Sequence, residues 1–444
     1  MGRGQGHPRS LELAGLTIFT MSPLKSRNEL RKLTTEVISR CQELATFSED
    51  PGGLKRTFLS PPMRGVHKEI TSWLRPLGAE TRVDAAGNLR AIYRAEDPDA
   101  PRLLIGSHLD TVPNAGAFDG ILGVVIAIAL LAALKGRRLP YAIEVVGFSE
   151  EEGVRFGTPF IGSRALVGTL DERLLGVQDS NGVTVRRAIE EFGLDPTEIP
   201  AAALDDDVFS YLEFHIEQGP VLEKLALPLG VVEAIAGQSR FEFSFVGRAN
   251  HAGTTPMDQR SDAMAGAARW IGEVERLAKK TPGLVATVGS VKTLPGAVNV
   301  ISGEALATLD VRHGEDEARL RAVGEITEAA QDIAKARGLA AISIETMNQP
   351  AVVMDRVLTG HIEESIRRAG CEPHRMTSGA GHDAMILAQK VPVGMVFLRT
   401  PGGVSHHPSE SVLLDDVERA LQCGLHLLDR LALSTHSKKR TNRA

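Results

Sequence analysis

Cysteine is scarce in this chain. The three thiols among 444 residues, Cys41, Cys371 and Cys423, are too few and too scattered for a disulfide framework or a cysteine-ligated zinc site. They suit a reducing cytoplasm. An excess of positive charge is also lacking. The formal net charge is -6, which offers no basic face to nucleic acid or anionic lipid. Long apolar runs are missing too. The longest uncharged one, Ile121 to Leu134, has 14 residues, too short to cross a bilayer and suited to a buried helix. Leu11 to Thr20 contains Glu12 and no small-residue cleavage site, so it makes a poor signal peptide. Residues 1-27 and 435-444 are expected to be disordered extensions, and Met21 is an alternative start to Met1. What is left is a soluble, globular composition, 43% hydrophobic and 24% charged. The length allows two domains, or one domain carrying an insertion.

Histidine, by contrast, is plentiful, at thirteen residues. One stretch uses it in a telling way: GSHLDTVPNAGAFDG, Gly106 to Gly120. The apolar run Leu103-Leu104-Ile105 before it reads as a buried strand. His108, Asp110 and Asp119 then follow in a Gly/Pro/Asn-rich segment that cannot be helix or strand throughout. Ligand-type residues just past a strand are how an α/β sheet presents chemistry at its carboxyl edge. A metal-bound imidazole usually needs a carboxylate behind it to fix its tautomer. Asp110, two residues on and on the same side of an extended chain, suits that task and leaves Asp119 free to be a ligand. Taken alone, the stretch reads equally as a polar loop capping the next helix.

The rest of the chain repeats the arrangement. A helix over 28-48, a second from Pro61 to Trp73 and a hairpin around Asp84-Ala85-Ala86-Gly87 precede it. After the buried helix, a strand from Tyr141 to Phe148 ends in Glu150-Glu151-Glu152. Three carboxylates past a core strand repel one another unless cations or shared protons compensate. The strand Tyr211 to Ile216 delivers His215, and the strand Val393 to Leu398 leads to His406 and His407. Between Ala236 and Gln349 the pattern changes. Phe241-Glu242-Phe243-Ser244-Phe245-Val246 alternates with period two, as a half-exposed antiparallel strand does. Helices at 262-280 and 315-337 and strands at 284-292, 303-312 and 341-347 complete a ferredoxin-like β-α-β-β-α-β unit. The expected architecture is therefore α/β. A doubly wound catalytic domain, residues 28-235 and 350-434, carries an inserted ferredoxin-like domain, residues 236-349.

Six residues sit just past core strands: His108, Asp119, Glu151, Glu152, His215 and His406. Imidazole and carboxylate without thiolate suit zinc or manganese, with cobalt and nickel also admissible. Two hydrolytic metals need a bridging carboxylate, and Asp119 is placed for it. One ion then takes His108 and His215, the other Glu152 and His406. Glu151 remains as general base. The residues alone leave His406 and His407 open as the last ligand; register with the following Pro408 and Glu410 favours His406.

GSHLDT, FDG, EEEGVRFG, FHIEQGPVLE, NHAGTTP, GAVNV, DVRH, GAGHDAM and SHHPSE occur in this order. Together they resemble the group of allantoate amidohydrolases, N-carbamoyl-L-amino-acid hydrolases and β-ureidopropionases, a branch of the dimetal aminoacylase and carboxypeptidase superfamily. The resemblance runs from about residue 28 to 433. It implies a zinc-peptidase-like catalytic fold, the same five ligands and Glu151 as base, two divalent ions per subunit, and a lid and dimerisation role for the insertion. It also implies a homodimer in which inserted residues complete the neighbouring subunit's site. His251 would polarise the scissile carbonyl, and Asn299 and Arg312 would hold the substrate carboxylate. From the residues alone, Arg312 is either such a guanidinium or a surface arginine in a salt bridge. Gln238, Arg240, Gly379, Gly381 and His382 are further candidates for substrate contact. The activity implied is hydrolysis of the ureido C-N bond of a small ureido carboxylate, releasing ammonia and carbon dioxide. Allantoate, N-carbamoyl-L-amino acids, β-ureidopropionate and ureidoglycolate all qualify. The rivals are an aminoacylase or dipeptidase of the same superfamily and a non-catalytic binding relative.

Overall fold

The computed structural model describes residues 27–441, with side chains to Ser434. The expectations for residues 1-26 and for the start at Met21 lie outside the described residues.

Among these, one mixed sheet of nine strands organises most of the chain. Its centre is four parallel strands in the order Val393–Leu398, Val208–Ile216, Arg102–His108, Ala142–Phe148. Every residue of Arg102–His108 and Ala142–Phe148 is buried, as strands with both faces covered require. The helix Ile121–Leu134 covers part of one face, with all but Ala132 and Ala133 buried. It lies close because Gly123 has no side chain: a Cβ there would sit 2.1 Å from the Phe214 carbonyl oxygen. Apolar clusters fill both faces, one built on that helix and the N-terminal helices, the other on Leu104, Phe148, Tyr211, Met395 and Phe397.

The segment after Ile235 forms a second sheet. The order is Val285–Leu294, Glu304–His313, Gly237–Val246, Ala340–Gln349, antiparallel throughout, in the ferredoxin-like topology. Phe241, Phe243 and Phe245 turn to one face, where they meet Trp270 and the helices Ala263–Lys280 and Asp316–Ala336. The alternate residues turn to the other face. Cross-strand register pairs Arg240 with Asp310 and Met347, and Gln238 with Arg312 and Gln349, so these six share that face. Buried Arg319 ties the two chain crossings together: it bonds Ser239, Asn348 and Asp316, and Asp316 accepts the Ala351 N–H at 3.0 Å.

Several details depart from the sequence-based expectations. The sheet is parallel, and so doubly wound, only at its centre. The expected hairpin around Asp84–Gly87 forms, but it joins the sheet with Leu89–Tyr93 antiparallel to Ala142–Phe148, and on the other side Leu229–Ile235 runs antiparallel to Val393–Leu398. The first helix ends at Leu44 rather than 48. Short strands that were not expected include Arg375–Ser378, parallel to Leu229–Ile235, and Thr111–Ala115, antiparallel to Leu54–Arg56. Neither is apolar enough to stand out. The last helix, Leu414–Thr441, runs past 433 into the expected disordered tail, with no proline or glycine to stop it.

Gly106 shows how tightly the centre is built. A Cβ at this position would lie 1.9 Å from the backbone oxygen of Val146 on the neighbouring strand. Backbone in the middle of a sheet cannot yield easily. Gly106→Ala is expected to destabilise the fold by about 1–3 kcal/mol, read as a lowered denaturant midpoint at unchanged m-value.

Candidate functional site

Four neighbouring parallel strands deliver side chains to one edge. His108 ends Arg102–His108, Glu151 and Glu152 follow Ala142–Phe148, His215 is the penultimate residue of Val208–Ile216, and His406 follows Val393–Leu398. Asp119 comes from the turn before the helix Ile121–Leu134. Gly120 makes that turn possible twice over: its φ is +68°, and a Cβ would meet the His108 ring at 2.5 Å. All six line a cavity of about 430 Å³. Gln238, Arg240, Arg312, Gly379 and Gly381 line it too.

Asp119 is the point of convergence. Its Oδ1 lies 3.2 Å from His215 Nε2 and 3.8 Å from His108 Nε2. Its Oδ2 lies 3.1 Å from His406 Nε2, which is itself 3.6 Å from Glu152 Oε1. One carboxylate oxygen thus faces each of two donor groups. The tautomers of two histidines follow from their other nitrogens. His108 Nδ1 donates to the Asp110 carbonyl at 3.0 Å, and His215 Nδ1 to the Ile216 carbonyl at 2.9 Å. In their neutral forms both Nε2 atoms then bear lone pairs, yet they face each other at 3.4 Å. Positive charge between them and Asp119 is what this geometry calls for. His108, Asp119 and His215 form one cluster of donor atoms within 4.8 Å, and Asp119, Glu152 and His406 another. The residues present fit a pair of divalent cations. Glu213, His215 and His382 also cluster. There, however, both Glu213 oxygens are already engaged, by Ser107 Oγ at 2.9 Å and the Ala384 N–H at 3.1 Å.

The electrostatics carry the same demand. Burial pushes the Glu152 carboxyl up to about 7, with the Asp119 charge adding to the effect, and burial raises Glu151 well above its ordinary range. Burial disfavours the charged form of His108, but Asp110, Glu151 and Asp119 outweigh it and lift its pKa well above the usual imidazole value. Burial takes His215 the other way, down to about 4. Burial also works against the Asp119 carboxylate, yet the His406 hydrogen bond and the charges of His215 and His108 hold it low.

Asp110 stands behind His108, where the sequence reading puts it, and has a second task. The closer contact to His108 Nδ1 is its backbone carbonyl; its carboxylate oxygen is 3.5 Å away. That carboxylate also accepts the N–H groups of Glu151 at 2.9 Å and Glu152 at 3.0 Å, and so aims the acidic pair. Of the three successive glutamates, Glu150 is wholly buried and off the cavity wall. His382 is buried behind His215, 4.5 Å between ring centroids, bonded to Ser378 Oγ and likewise off the wall. His407 is exposed and bonds Ser409.

The inserted residues divide. Arg312, expected to serve a neighbouring subunit, lines its own chain's cavity, because register with Gln238 turns it to the inward face. His251 and Asn299 do not line the cavity: both are exposed, and the Ala252 N–H bonds the Asn299 carbonyl in a small two-stranded loop.

Three residues that hold the site went unassigned in the sequence reading. Gln218 Nε2 donates to both Asp119 oxygens, at 3.1 and 3.0 Å. Glu410 accepts the N–H groups of Phe118 and Asp119, and Ser405 Oγ donates to Glu410 at 3.2 Å. Backbone strain marks part of this support: Gln218 and His406 have φ of +59° and +56°. Only the turn-forming Gln218-Gly219-Pro220 hinted at it in the sequence.

Comparison with known proteins agrees with this construction. Residues 104–430 match the model of Peptidase family M20/M25/M40. The chain is 38% identical to allantoate deiminase 2 of Glycine max, over 92% of each chain. It is 38% identical to the N-carbamoyl-L-amino acid amidohydrolase of Geobacillus stearothermophilus, over 88% of this chain and 97% of that one. Among solved structures, an amidase of the hydantoinase/carbamoylase family from Burkholderia multivorans superposes with a TM-score of 0.84 at 31% identity, covering 89% of this chain and 97% of that one. These matches span both the mixed sheet and the inserted segment, and the chain belongs to Peptidase family M20/M25/M40, alongside the allantoate deiminases and N-carbamoyl-L-amino-acid amidohydrolases.

Proposed function

We propose that this protein hydrolyses the ureido C–N bond of a small ureido carboxylate, an N-carbamoyl-L-amino acid or an allantoate-like acid. The observation that carries the reading is one cavity lined by both the strand-end cluster and the inserted sheet. His108, Asp119, Glu152, His215 and His406 converge in it, and Arg312 of the inserted sheet lines the same space. At about 430 Å³ it suits a small molecule with a reactive carbonyl at one end and a carboxylate at the other. The relatives named for allantoate and for N-carbamoyl-L-amino acids support this choice of substrate class.

His108, Asp119, Glu152, His215 and His406 would hold two divalent ions, zinc or manganese. When bound they supply Lewis acidity toward the ureido carbonyl and toward water. Glu151 takes the proton from the attacking water and passes it to the departing nitrogen. The C–N bond to the terminal nitrogen breaks, ammonia leaves, and the N-carboxy product loses carbon dioxide. Arg312 holds the substrate carboxylate by paired hydrogen bonds. Asp110 keeps Glu151 and Glu152 in position through their backbone N–H groups.

The inserted segment acts as a lid and dimerisation domain in this reading. His251 and Asn299 lie outside their own chain's cavity, so they serve a site only if the lid closes or if they reach a second copy's. The shared-site homodimer rests on these two residues and no longer on Arg312.

Elemental analysis is expected to find about two divalent ions per chain, and chelation to abolish activity. Asp119→Ala should lose the ions; active protein with one ion or none contradicts the assignment. Glu151→Gln should keep both ions while kcat falls by about 10²–10⁴. If Glu151→Gln strips the ions and Glu152→Gln retains them, the two roles are exchanged. Ammonia release should be seen from at least one of allantoate, an N-carbamoyl-L-amino acid, β-ureidopropionate and ureidoglycolate, while N-acetyl amino acids should yield no free amino acid. Mixing inactive Glu151→Gln with inactive His251→Ala, with subunit exchange verified, should restore part of the activity. No recovery means that His251 does not act across subunits.

A further inference from the structure

Asp310 is not on the cavity wall, yet it touches three residues that are. Arg312 donates to it twice, Nε to Oδ1 at 2.8 Å and Nη2 to Oδ2 at 3.1 Å. Arg240 Nε donates to Oδ2 at 2.9 Å, and Gln238 Nε2 at 3.3 Å. The register explains the meeting: Asp310 is opposite Arg240, and Arg312 opposite Gln238, all on the helix-free face. Burial works against the ionised carboxyl of Asp310, but the bonds from Arg312 and Arg240 hold it below its ordinary range.

The donor count of Arg312 is informative. A guanidinium has five N–H groups. Asp310 takes two, and the Gly379 carbonyl takes a third from Nη1 at 2.7 Å. Two are left, one on each terminal nitrogen, which is the number a carboxylate accepts in a paired contact. The charge count agrees. Two guanidiniums against one carboxylate leave one positive charge, which a single substrate carboxylate neutralises. Two free arginines side by side would instead repel each other and sample many rotamers.

We propose that Asp310 is a positioning residue for substrate recognition: it occupies the Nε edge of Arg312 and fastens Arg240 beside it, presenting the terminal edge of Arg312 to the substrate carboxylate. The inference rests on the reading of Arg312 as the group that holds that carboxylate. It makes the inserted sheet a preformed half of the substrate site, matched to a monocarboxylate.

The test is steady-state kinetics of Asp310→Asn on the metal-loaded protein. Two substrates are needed: the best N-carbamoyl amino acid, and its carboxamide, in which the carboxylate is replaced by a neutral amide. For the acid, KM is expected to rise roughly ten- to a hundredfold, the loss typical of a hydrogen-bonded charge contact, with kcat little changed. For the carboxamide, kcat/KM should stay as in the unaltered protein, an outcome that general damage to the fold would not give. The sign is decisive. Removing a negative charge makes the cavity more positive, so if Asp310 acted only through its field, KM for the acid would fall; a fall or no change overturns the proposal. Arg312→Ala separates the two layers. If it raises KM for the acid and Asp310→Asn does not, the positioning role fails and the carboxylate reading stands. If Arg312→Ala leaves KM unchanged, both fail. The double variant should match Arg312→Ala alone, because Asp310 acts through Arg312. Should Asp310→Asn not fold, Asp310→Glu keeps the charge, moves it by one methylene and should raise KM in the same selective way.

Discussion

A buried carboxylate must be met by positive charge, and Asp119 sets that requirement for this site. It is almost wholly buried, at the focus of three imidazoles and a second carboxylate. Nothing about a polar loop needs such an arrangement. An isolated ionised group in low dielectric would protonate instead. Here the carboxylate is kept ionised by what surrounds it, and the surroundings are fixed by the sheet. His108 and His215 cannot withdraw, since their Nδ1 atoms are fastened to main-chain carbonyls. The main chain of Phe118 and Asp119 is held in turn by Glu410, brought from near the other end of the chain. Buried Arg56 does the same for the preceding loop: its Nε donates to the Leu109 carbonyl at 2.7 Å, and its backbone N–H donates to Thr111 Oγ1. A donor set this rigid is already shaped before any cation arrives, so less ordering remains to be done on binding.

How far the site was legible in the sequence follows from where its residues lie. His108, Glu151, Glu152, His215 and His406 each stand at or just past an apolar strand. Parallel strands carry such residues to one edge, so one rule finds them all. What a side chain does there was less legible, because that depends on atoms supplied by other segments. Asp110 looked like the partner of His108 on spacing alone, and two residues along a strand do share a side. The carboxylate does come within 3.5 Å of His108 Nδ1, but its two oxygens also take the N–H groups of Glu151 and Glu152, and the shorter contact to the ring is the Asp110 carbonyl. Gln218 and Ser405 reach Asp119 from loops whose conformation no periodicity describes. Of the fold, long periodic elements were legible; short polar strands such as Arg375–Ser378, held mainly by their neighbours, were not.

The inserted sheet obeys a simpler logic. Strict alternation commits every second residue to the phenylalanine-lined helix side. The remaining residues have to face away, and the register of three strands decides which of them meet. Gln238, Arg240, Asp310, Arg312, Met347 and Gln349 fall together for that reason alone. A slip of one residue would turn all of them into the helix layer and empty the recognition face. The same phenylalanines that stabilise the insertion therefore set the composition of the cavity wall. The clamp of Arg319 and Asp316 on the two crossing strands carries that wall to a defined place beside the catalytic edge.

The division between Arg312 on one side and His251 and Asn299 on the other has a mechanistic consequence within the proposed reading. A carboxylate held by the chain's own sheet can be captured before any second copy takes part. That contact is present in both ground and transition states and contributes mainly to affinity. A histidine acting on the scissile carbonyl does its work only as charge develops on the carbonyl oxygen, and it belongs to the transition state. If the first contact is within the chain and the second across subunits, as proposed, binding is separated from commitment. Substrate seats first against Arg312, whose Nη1 also bonds the Gly379 carbonyl of the loop beside Glu151. On the proposed shared-site reading, the constellation would be complete only when the neighbouring loop with His251 closes on it and excludes water. A molecule lacking the carboxylate would not dwell long enough for that closure, so selection by the carboxylate precedes the chemistry and does not depend on it.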